Sequence, residues 1–271
     1  MKIFKNKEQL KQEIGNKKSI SFIPTMGGLH KGHLSLIRNA KKYKNKILVS
    51  IYVNPKQFNN KQDFKKYPRY LNKDIQILKK LKINYLYLPT YDDLFGFNTL
   101  HKIYLHSFSK ILCGKYRKKH FDGVLNVINR FLEIIRPKYI FLGLKDFQQL
   151  TLINKHILKY KINTKVVSCK TIREFNGVAC SSRNNNLNNS QMKIAKNVFN
   201  YLLKTKKHLK KNFEYFNSKI LKNNIIKMGV DKIDYLEVIN LKRLRKVKKS
   251  NENFNIFIAY HLDKVRLIDN I

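Results

Sequence analysis

Two histidines three residues apart, His30 and His33, follow a short apolar run, Ser19–Pro24, that predicts a buried strand. If a helix begins at this point, both imidazoles project from its first turn toward the same place. A helix N-terminus offers unpaired N–H groups and the positive end of the helix dipole, which suit a polyphosphate. Imidazole N–H groups placed there can stabilise phosphate oxygens as charge develops on them. The pattern therefore predicts a site for phosphate chemistry.

The glycines between this strand and the histidines favour the same interpretation. Gly27 and Gly28 allow a sharp backbone turn and a close approach to a ligand. The alternative is an ordinary glycine-containing turn with two incidental surface histidines. The position directly after a buried strand, behind the sequence Pro-Thr-Met-Gly, favours the binding site.

A second polar segment ends the next apolar run, where Asn54 and Pro55 stop the predicted strand. Gln57 then offers both a hydrogen-bond donor and an acceptor, which suits a small hydroxy acid. Taken alone, the segment is typical of a structural turn.

A third segment, Phe141–Leu150, again predicts a strand, a turn and a helix. Lys145 is suited to bind phosphate, and Asp146 is suited to accept from a ribose or to face a metal ion. Asp146 is equally suited to cap the helix that begins at Phe147, and both interpretations stay open.

The fourth segment places two hydroxyl groups beside a guanidinium, at Ser181, Ser182 and Arg183. Arginine can bind phosphate in bidentate fashion, so the three together predict an anion-binding loop. As an isolated string, Ser-Ser-Arg is also common in surface loops.

These segments resemble a known family. The residues Pro24–His33 resemble the H-x-G-H signature of the nucleotidyltransferase superfamily, and their fuller form resembles the pantothenate synthetase family. The resemblance extends over nearly the whole chain, in order and without large gaps. It implies a homodimeric, Mg²⁺-dependent enzyme that uses ATP to condense pantoate with β-alanine through a pantoyl adenylate. The products besides pantothenate would be AMP and pyrophosphate.

The resemblance also implies roles for individual residues. His33 would stabilise or protonate the departing pyrophosphate, His30 would hold the nucleotide, and Lys145 would bind the phosphates. Gln57 and Gln149 would bind pantoate. The expected ATP-binding residues are Met26, Gly27, Gly28, Leu29, His30, Lys31, Gly32, His33, Gly143, Leu144, Lys145, Asp146, Ile172, Cys180, Ser181, Ser182 and Arg183. No residue is assigned as a direct metal ligand.

The chain departs from the family pattern at three positions. Leu144 stands where the family has a glutamate, so a side-chain role there is not carried over. Lys118 and Lys119 replace a Pro-Gly pair, and the local turn is expected to differ. Arg117, just before them, is expected to face the substrate carboxylate.

Hydrophobic periodicity predicts an α/β fold for the first part of the chain. Short apolar runs alternate with helix-period segments, which indicates a Rossmann-like parallel sheet covered on both faces. Such sheets bind ligands at the carboxyl ends of their strands. The predicted strands are Ser19–Pro24, Ile47–Val53, Tyr85–Leu88, Tyr139–Leu142 and Val166–Cys169, and the predicted helices are His33–Tyr43, Leu71–Leu81, Val124–Ile135 and Phe147–Tyr160.

The pattern of apolar and polar residues changes after Arg173. This change predicts a domain of residues 1–172 and a smaller α+β lid domain of residues 173–271. A polar stretch at 184–190 predicts an exposed loop, with Ser190 as a helix cap. The predicted helices are Gln191–Leu209 and Phe213–Lys227, and the predicted strands are Ile233–Ile239, Phe254–Tyr260 and Val265–Ile268.

Composition excludes several classes of protein. The 271 residues are 43% hydrophobic, but no apolar run is long enough to span a membrane. The basic N-terminus has no apolar segment behind it, and three cysteines without C-x-x-C spacing argue against disulfides or zinc. A cytoplasmic protein is therefore expected.

The net charge of +40 raises an RNA-binding module as an alternative. The lysines are spread from Lys2 to Lys264, and the aromatic residues mostly lie within apolar patterns, so no specific nucleic-acid partner is expected. A second alternative is another H-x-G-H nucleotidyltransferase that stops at a nucleotidylated product. The paired glutamines and the ordered resemblance favour the ligase.

Overall fold

The structure is a computed structural model that describes residues 1–15, 19–59, 61–247, 249 and 251–271. The chain divides into two compact units, Met1–Lys170 and Thr171–Ile271. The first contains all the parallel strands, and the second contains an antiparallel sheet.

The first unit is built on a six-stranded sheet in which every neighbouring pair is parallel, in the order β1-β4-β3-β2-β5-β6. Its inner strands carry nearly continuous apolar runs, as expected where both faces are covered. The edge strand β1 was not predicted from the sequence, because three residues carry too little pattern. The strands are β1 (Lys2–Phe4), β2 (Ile20–Thr25), β3 (Lys46–Ile51), β4 (Tyr85–Tyr87), β5 (Tyr139–Gly143) and β6 (Lys165–Cys169).

Helices cover both faces of this sheet, which confirms the predicted Rossmann-like fold. On one face, Ile37 of α2 and Leu78 of α4 pack with strand residues such as Val49. On the other face, the ring of Phe131 in α7 lies 5.3 Å from that of Phe22. The helices are α1 (Lys7–Ile14), α2 (Lys31–Lys41), α3 (Lys61–Lys66), α4 (Leu71–Lys80), α5 (Tyr91–Phe95), α6 (Cys113–Tyr116), α7 (His120–Ile135) and α8 (Phe147–Lys159).

The order of the strands determines where a ligand can bind. From β2 the chain proceeds to β3 and β4 on one side, then crosses to β5 and β6 on the other side. The direction of winding therefore reverses between β2 and β5, and the loops that leave their carboxyl ends open a crevice. These loops carry the two histidines and Lys145.

The second unit packs two helices and a three-stranded sheet around its own core, which confirms the predicted α+β class. Ala195, Val198 and Leu202 of its first helix share this core with Leu236 and Ile256 of the sheet. Its elements are α9 (Asn189–Leu209), α10 (Ser218–Lys227), β7 (Lys232–Asn240), β8 (Phe254–Leu262) and β9 (Val265–Asn270).

Two helix boundaries in the second unit differ from the prediction. The predicted cap Ser190 lies inside α9, and Asn188 caps the helix together with Gln191 in a reciprocal pair of hydrogen bonds. The predicted helix Phe213–Lys227 is interrupted, because Asn217 accepts the N–H groups of Lys219 and Ile220 and starts α10 anew. Both errors arise because several polar residues in a row could each serve as a cap.

Candidate active site

The loop that leaves β2 is fixed by a chain of hydrogen bonds. Thr25 donates its hydroxyl to the carbonyl of Ser50 at 2.8 Å and accepts the N–H of Gly27 at 3.2 Å. Gly27 and Gly28 have φ values of +79° and +62°, a region that glycine adopts without strain. The two glycines therefore turn the chain sharply between the strand and α2.

Asp74 of α4, which was not predicted from the sequence, holds this loop in place. Its carboxylate is 1% exposed and accepts the N–H of Gly28 at 2.8 Å and that of Leu29 at 2.9 Å. These two amides thus bind a carboxylate within the protein. A Cβ atom on Gly27 would lie 3.1 Å from Asp74 Oδ2, so little space remains between the loop and α4.

The two histidines mark the start of α2, which begins at Lys31 and not at His33 as predicted. His30 is the N-cap residue, and its Nδ1 accepts the N–H of Gly32 at 3.1 Å. Nδ1 of His33 accepts the N–H of His30 at 3.4 Å. The ring centroids lie 4.1 Å apart. Since Nδ1 of each ring accepts, the proton of each neutral imidazole resides on Nε2.

The surroundings of His33 favour its neutral form. Burial, followed by the neighbouring His30 and the Lys145 ammonium, lowers the pKa of His33 to about 3. An imidazole with this pKa is uncharged at neutral pH and donates from Nε2. The ammonium of Lys145, on the loop after β5, thus lies within electrostatic range of His33.

The loop after β5 is a 3-10 turn, Leu144–Asp146, that leads directly into α8. Lys145 Nζ lies 3.6 Å from Asp146 Oδ1, and the Lys145 side chain is 19% exposed. Asp146 occupies the N-cap position of α8, but its side chain makes no capping hydrogen bond. The capping role that the sequence suggested for its carboxylate is therefore wrong.

The two glutamines that follow have different environments. Gln148 is buried, donates to the carbonyls of Phe108 and Ile111 and accepts the N–H of Cys113. Its amide is thus used to hold a loop. Gln149 is partly exposed, and no hydrogen bond of its side chain occurs within the described part of the chain. Of the two, Gln149 is the one suited to bind a ligand.

Gln57 ends a 3-10 turn, Pro55–Gln57, whose N-cap residue is the buried Asn54. The Gln57 carbonyl accepts from Arg117 Nη2 at 2.9 Å and lies 2.8 Å from His120 Nδ1. Arg117 therefore contacts the turn beneath the predicted substrate residue, and its expected contact with a substrate carboxylate gains no support. Beside it, Lys119 adopts φ = 59°, a left-handed conformation without the glycine of the family.

The segment predicted to bind anions in the second unit is internally braced. Ser181 accepts the N–H of Arg183 at 3.2 Å, and Ile172 accepts the N–H of Cys180 at 2.9 Å. The Cys180 thiol is buried and donates to Glu174 at 3.1 Å. Ser182 is buried, with 8% of the residue exposed.

The described ranges of the chain contain neither a metal-ligating cluster nor a membrane-spanning helix. No three His, Cys, Asp or Glu side chains gather there as a protein-held metal ion would require. None of the helices in those ranges has the length and apolarity needed to cross a bilayer.

Comparison with known proteins assigns the chain and its fold to one family. Residues 2–271 match the family described as pantoate-beta-alanine ligase. The pantothenate synthetase of Flavobacterium psychrophilum is 37% identical over 269 residues, covering 98% of this chain and 95% of the relative. That of Wigglesworthia glossinidia brevipalpis is 38% identical over 264 residues, covering 94% and 92%.

Solved structures agree with this assignment. The pantoate-beta-alanine ligase of Francisella tularensis, complexed with beta-gamma ATP and beta-alanine, is 36% identical with a TM-score of 0.83, covering 100% of this chain and 97% of that one. The pantothenate synthetase of Thermus thermophilus is 27% identical with a TM-score of 0.89, covering 100% and 99%.

Proposed function

Because the chain belongs to the pantoate–β-alanine ligase family, we propose that it condenses pantoate with β-alanine through a pantoyl-adenylate intermediate. The observation that carries the proposal is the adjacent pair of imidazoles, His30 and His33, with the Lys145 ammonium acting on His33, where the strand order reverses. Such a site would suit a nucleoside triphosphate, and membership of the family supports pantoate as the acid and β-alanine as the amine.

In the first step, a carboxylate oxygen of pantoate attacks the α-phosphorus of ATP, and the bond from that phosphorus to the bridging oxygen of pyrophosphate breaks. In the second step, the amine of β-alanine attacks the acyl carbon, and AMP leaves with the oxygen that pantoate supplied. Neither step needs a covalent bond to the protein. The rate gain would come from placement of the reactants and from stabilisation of the phosphate charges.

The histidine pair would act as hydrogen-bond donors. Since Nδ1 of each ring accepts a backbone N–H, the Nε2–H groups of His30 and His33 are the atoms suited to bind phosphate oxygens. The low pKa of His33 argues against protonation of pyrophosphate by an imidazolium and favours stabilisation by a neutral donor. Lys145 would supply the positive charge beside them.

Pantoate would be held by Gln57 and Gln149. Each amide combines a donor with an acceptor, and a hydroxy acid requires both. The buried hydrogen bonds of Gln148 support the choice of Gln149. By resemblance to the family, Ile172, Cys180, Ser181, Ser182 and Arg183 remain proposed nucleotide-binding residues, and the lid role of the second unit, a homodimer and a cytoplasmic location remain predictions.

Magnesium would enter with the nucleotide. Asp74 engages two backbone amides with its two oxygens, and Asp146 is the acidic residue beside Lys145. Mg²⁺ usually keeps several waters and binds phosphates with one or two carboxylates, which fits a site with so few acidic groups. The ion would neutralise phosphate charge when bound with ATP.

The test is the release of AMP and pyrophosphate from ATP and Mg²⁺, with pantoate and β-alanine supplied together and singly. We expect sustained AMP formation only when both are present. The His33→Ala variant should bind ATP yet lose about 10²-fold in kcat, the scale of losing one donor to developing charge. Wild-type protein that binds ATP but turns over no combination would refute the proposed substrates.

A further inference from the structure

The turn that carries Gln57 is locked against α7 from two sides. Asn54, which begins the turn, donates its Nδ2 to the carbonyl of Gly123 at 3.0 Å. Gly123 is inside α7, and a Cβ atom there would lie 2.2 Å from the Lys56 carbonyl oxygen. The backbone of the turn therefore rests directly on the helix, at a place where only glycine fits.

The far end of the turn is held by the side chain of His120, the first residue of the same helix, and by that of Arg117, three residues before it. The Gln57 carbonyl oxygen is 2.9 Å from Arg117 Nη2 and 2.8 Å from His120 Nδ1. A carbonyl can only accept, so His120 donates from Nδ1, and its Nε2 accepts from Arg117 Nη1 at 3.0 Å. Both lone pairs of the carbonyl are thereby filled, and the direction of the peptide is fixed.

The side chain of Gln57 has no such partner within the described part of the chain. It is partly exposed, and none of its amide atoms takes part in a hydrogen bond there. The backbone of Gln57 is thus held in place, and its side-chain amide can bind a ligand. This combination is expected of a residue that presents a binding group from a preorganised frame.

We infer that Arg117 and His120 form a positioning pair that fixes the Gln57 backbone and so sets the affinity for the carboxylic acid substrate. The inference rests on the proposed function, since it takes Gln57 as a contact of pantoate. The pair holds the backbone of Gln57, where pantoate is proposed to bind, whereas Asp74 holds the histidine loop. Its loss should weaken binding of the acid and leave binding of ATP unchanged.

The test is calorimetric titration of pantoate and, separately, of ATP into the full-length protein and its variants. In Arg117→Ala and His120→Ala we expect the Kd for pantoate to rise about tenfold, the scale of one lost hydrogen bond. The ATP affinity should not change. His120→Asn should recover most of the loss, because its amide N–H takes the position of Nδ1–H.

Lys118→Ala is the matched control, since it removes a neighbouring exposed positive charge without removing a contact to Gln57. It should bind pantoate as the wild type does. Unchanged pantoate affinity in the two alanine variants, or a parallel loss of ATP affinity, would overturn the inference alone. Wild-type protein that binds ATP and no pantoate would overturn the proposed function and the inference together.

Discussion

The buried carboxylate of Asp74 should be essential to the geometry of the histidine loop, and Asp74→Asn tests this with almost no change in shape. The carboxylate accepts two amides at 2.8 and 2.9 Å. Asparagine retains one acceptor oxygen and turns an NH₂ group toward the other amide, where donor faces donor. A hydrogen bond to a charged group contributes about 1.5–3 kcal/mol, so we expect the free energy of unfolding to fall by about 2–3 kcal/mol.

The effect on the reaction follows from displacement of the loop. If Gly28 and Leu29 move away from the substituted side chain, His30 and His33 move with them, and a misplacement of about 1 Å can reduce turnover about 10²-fold. We expect the affinity for ATP to fall and that for pantoate to stay, because Gln57 is held by Arg117 and His120 instead.

Urea unfolding, ATP titration and steady-state turnover would measure these effects. Asn72→Ala, an exposed position on the same first turn of α4, is the control and should resemble the wild type. Asp74→Asn with wild-type stability and turnover would refute the idea that this carboxylate holds the loop in place.

Two further predictions separate binding from stability. Gln149→Ala should raise the KM for pantoate about tenfold with an unchanged Tm, whereas Gln148→Ala should lower the Tm, because its buried amide makes three hydrogen bonds. A raised KM for pantoate in Gln148→Ala and a lowered Tm in Gln149→Ala would contradict this assignment of roles. His156 is fully buried between Asn129 and the backbone of Tyr104, and burial, followed by His101, lowers its pKa to about 4. As the pH falls, His156 is therefore protonated in the unfolded state before it is protonated in the folded state. About 3 kcal/mol of stability present above pH 6.5 should be lost as the pH falls toward 4. Urea unfolding of wild type and His156→Gln at several pH values would show this loss in the wild type only, and equal slopes would contradict it.

The sequence predicted the parts of the molecule that depend on local pattern. Strands β2 to β6 and the longer helices α2, α4, α7 and α8 follow from apolar runs and helical spacing, with errors of a few residues at their ends. The short helices α3, α5 and α6 were not predicted, because four to six residues carry too little pattern. The histidine pair and Lys145 were found because each stands directly after such a strand. Parallel strands place those positions on one edge, so their proximity follows from the topology.

The supporting contacts could not be predicted in this way. Asp74 lies 46 residues from the Gly28 amide that it binds, and no local pattern links the two. Arg117 reaches a carbonyl 60 residues away, and nothing in its own segment distinguishes that contact from one with a substrate. Such long-range polar contacts are specified by how elements pack. The signal that could have found Asp74 is its place on the helix face that carries Leu78.

The central claim is that the acid is activated at the α-phosphorus of ATP, and transfer of oxygen isotope tests it most directly. Pantoate labelled with ¹⁸O in its carboxylate would be supplied with ATP, Mg²⁺ and β-alanine, and the products would be analysed by mass spectrometry. We expect one ¹⁸O atom in AMP for each pantothenate formed, and none in pyrophosphate. Label found in inorganic phosphate, with ADP as the nucleotide product, would contradict the adenylate and indicate attack at the γ-phosphorus.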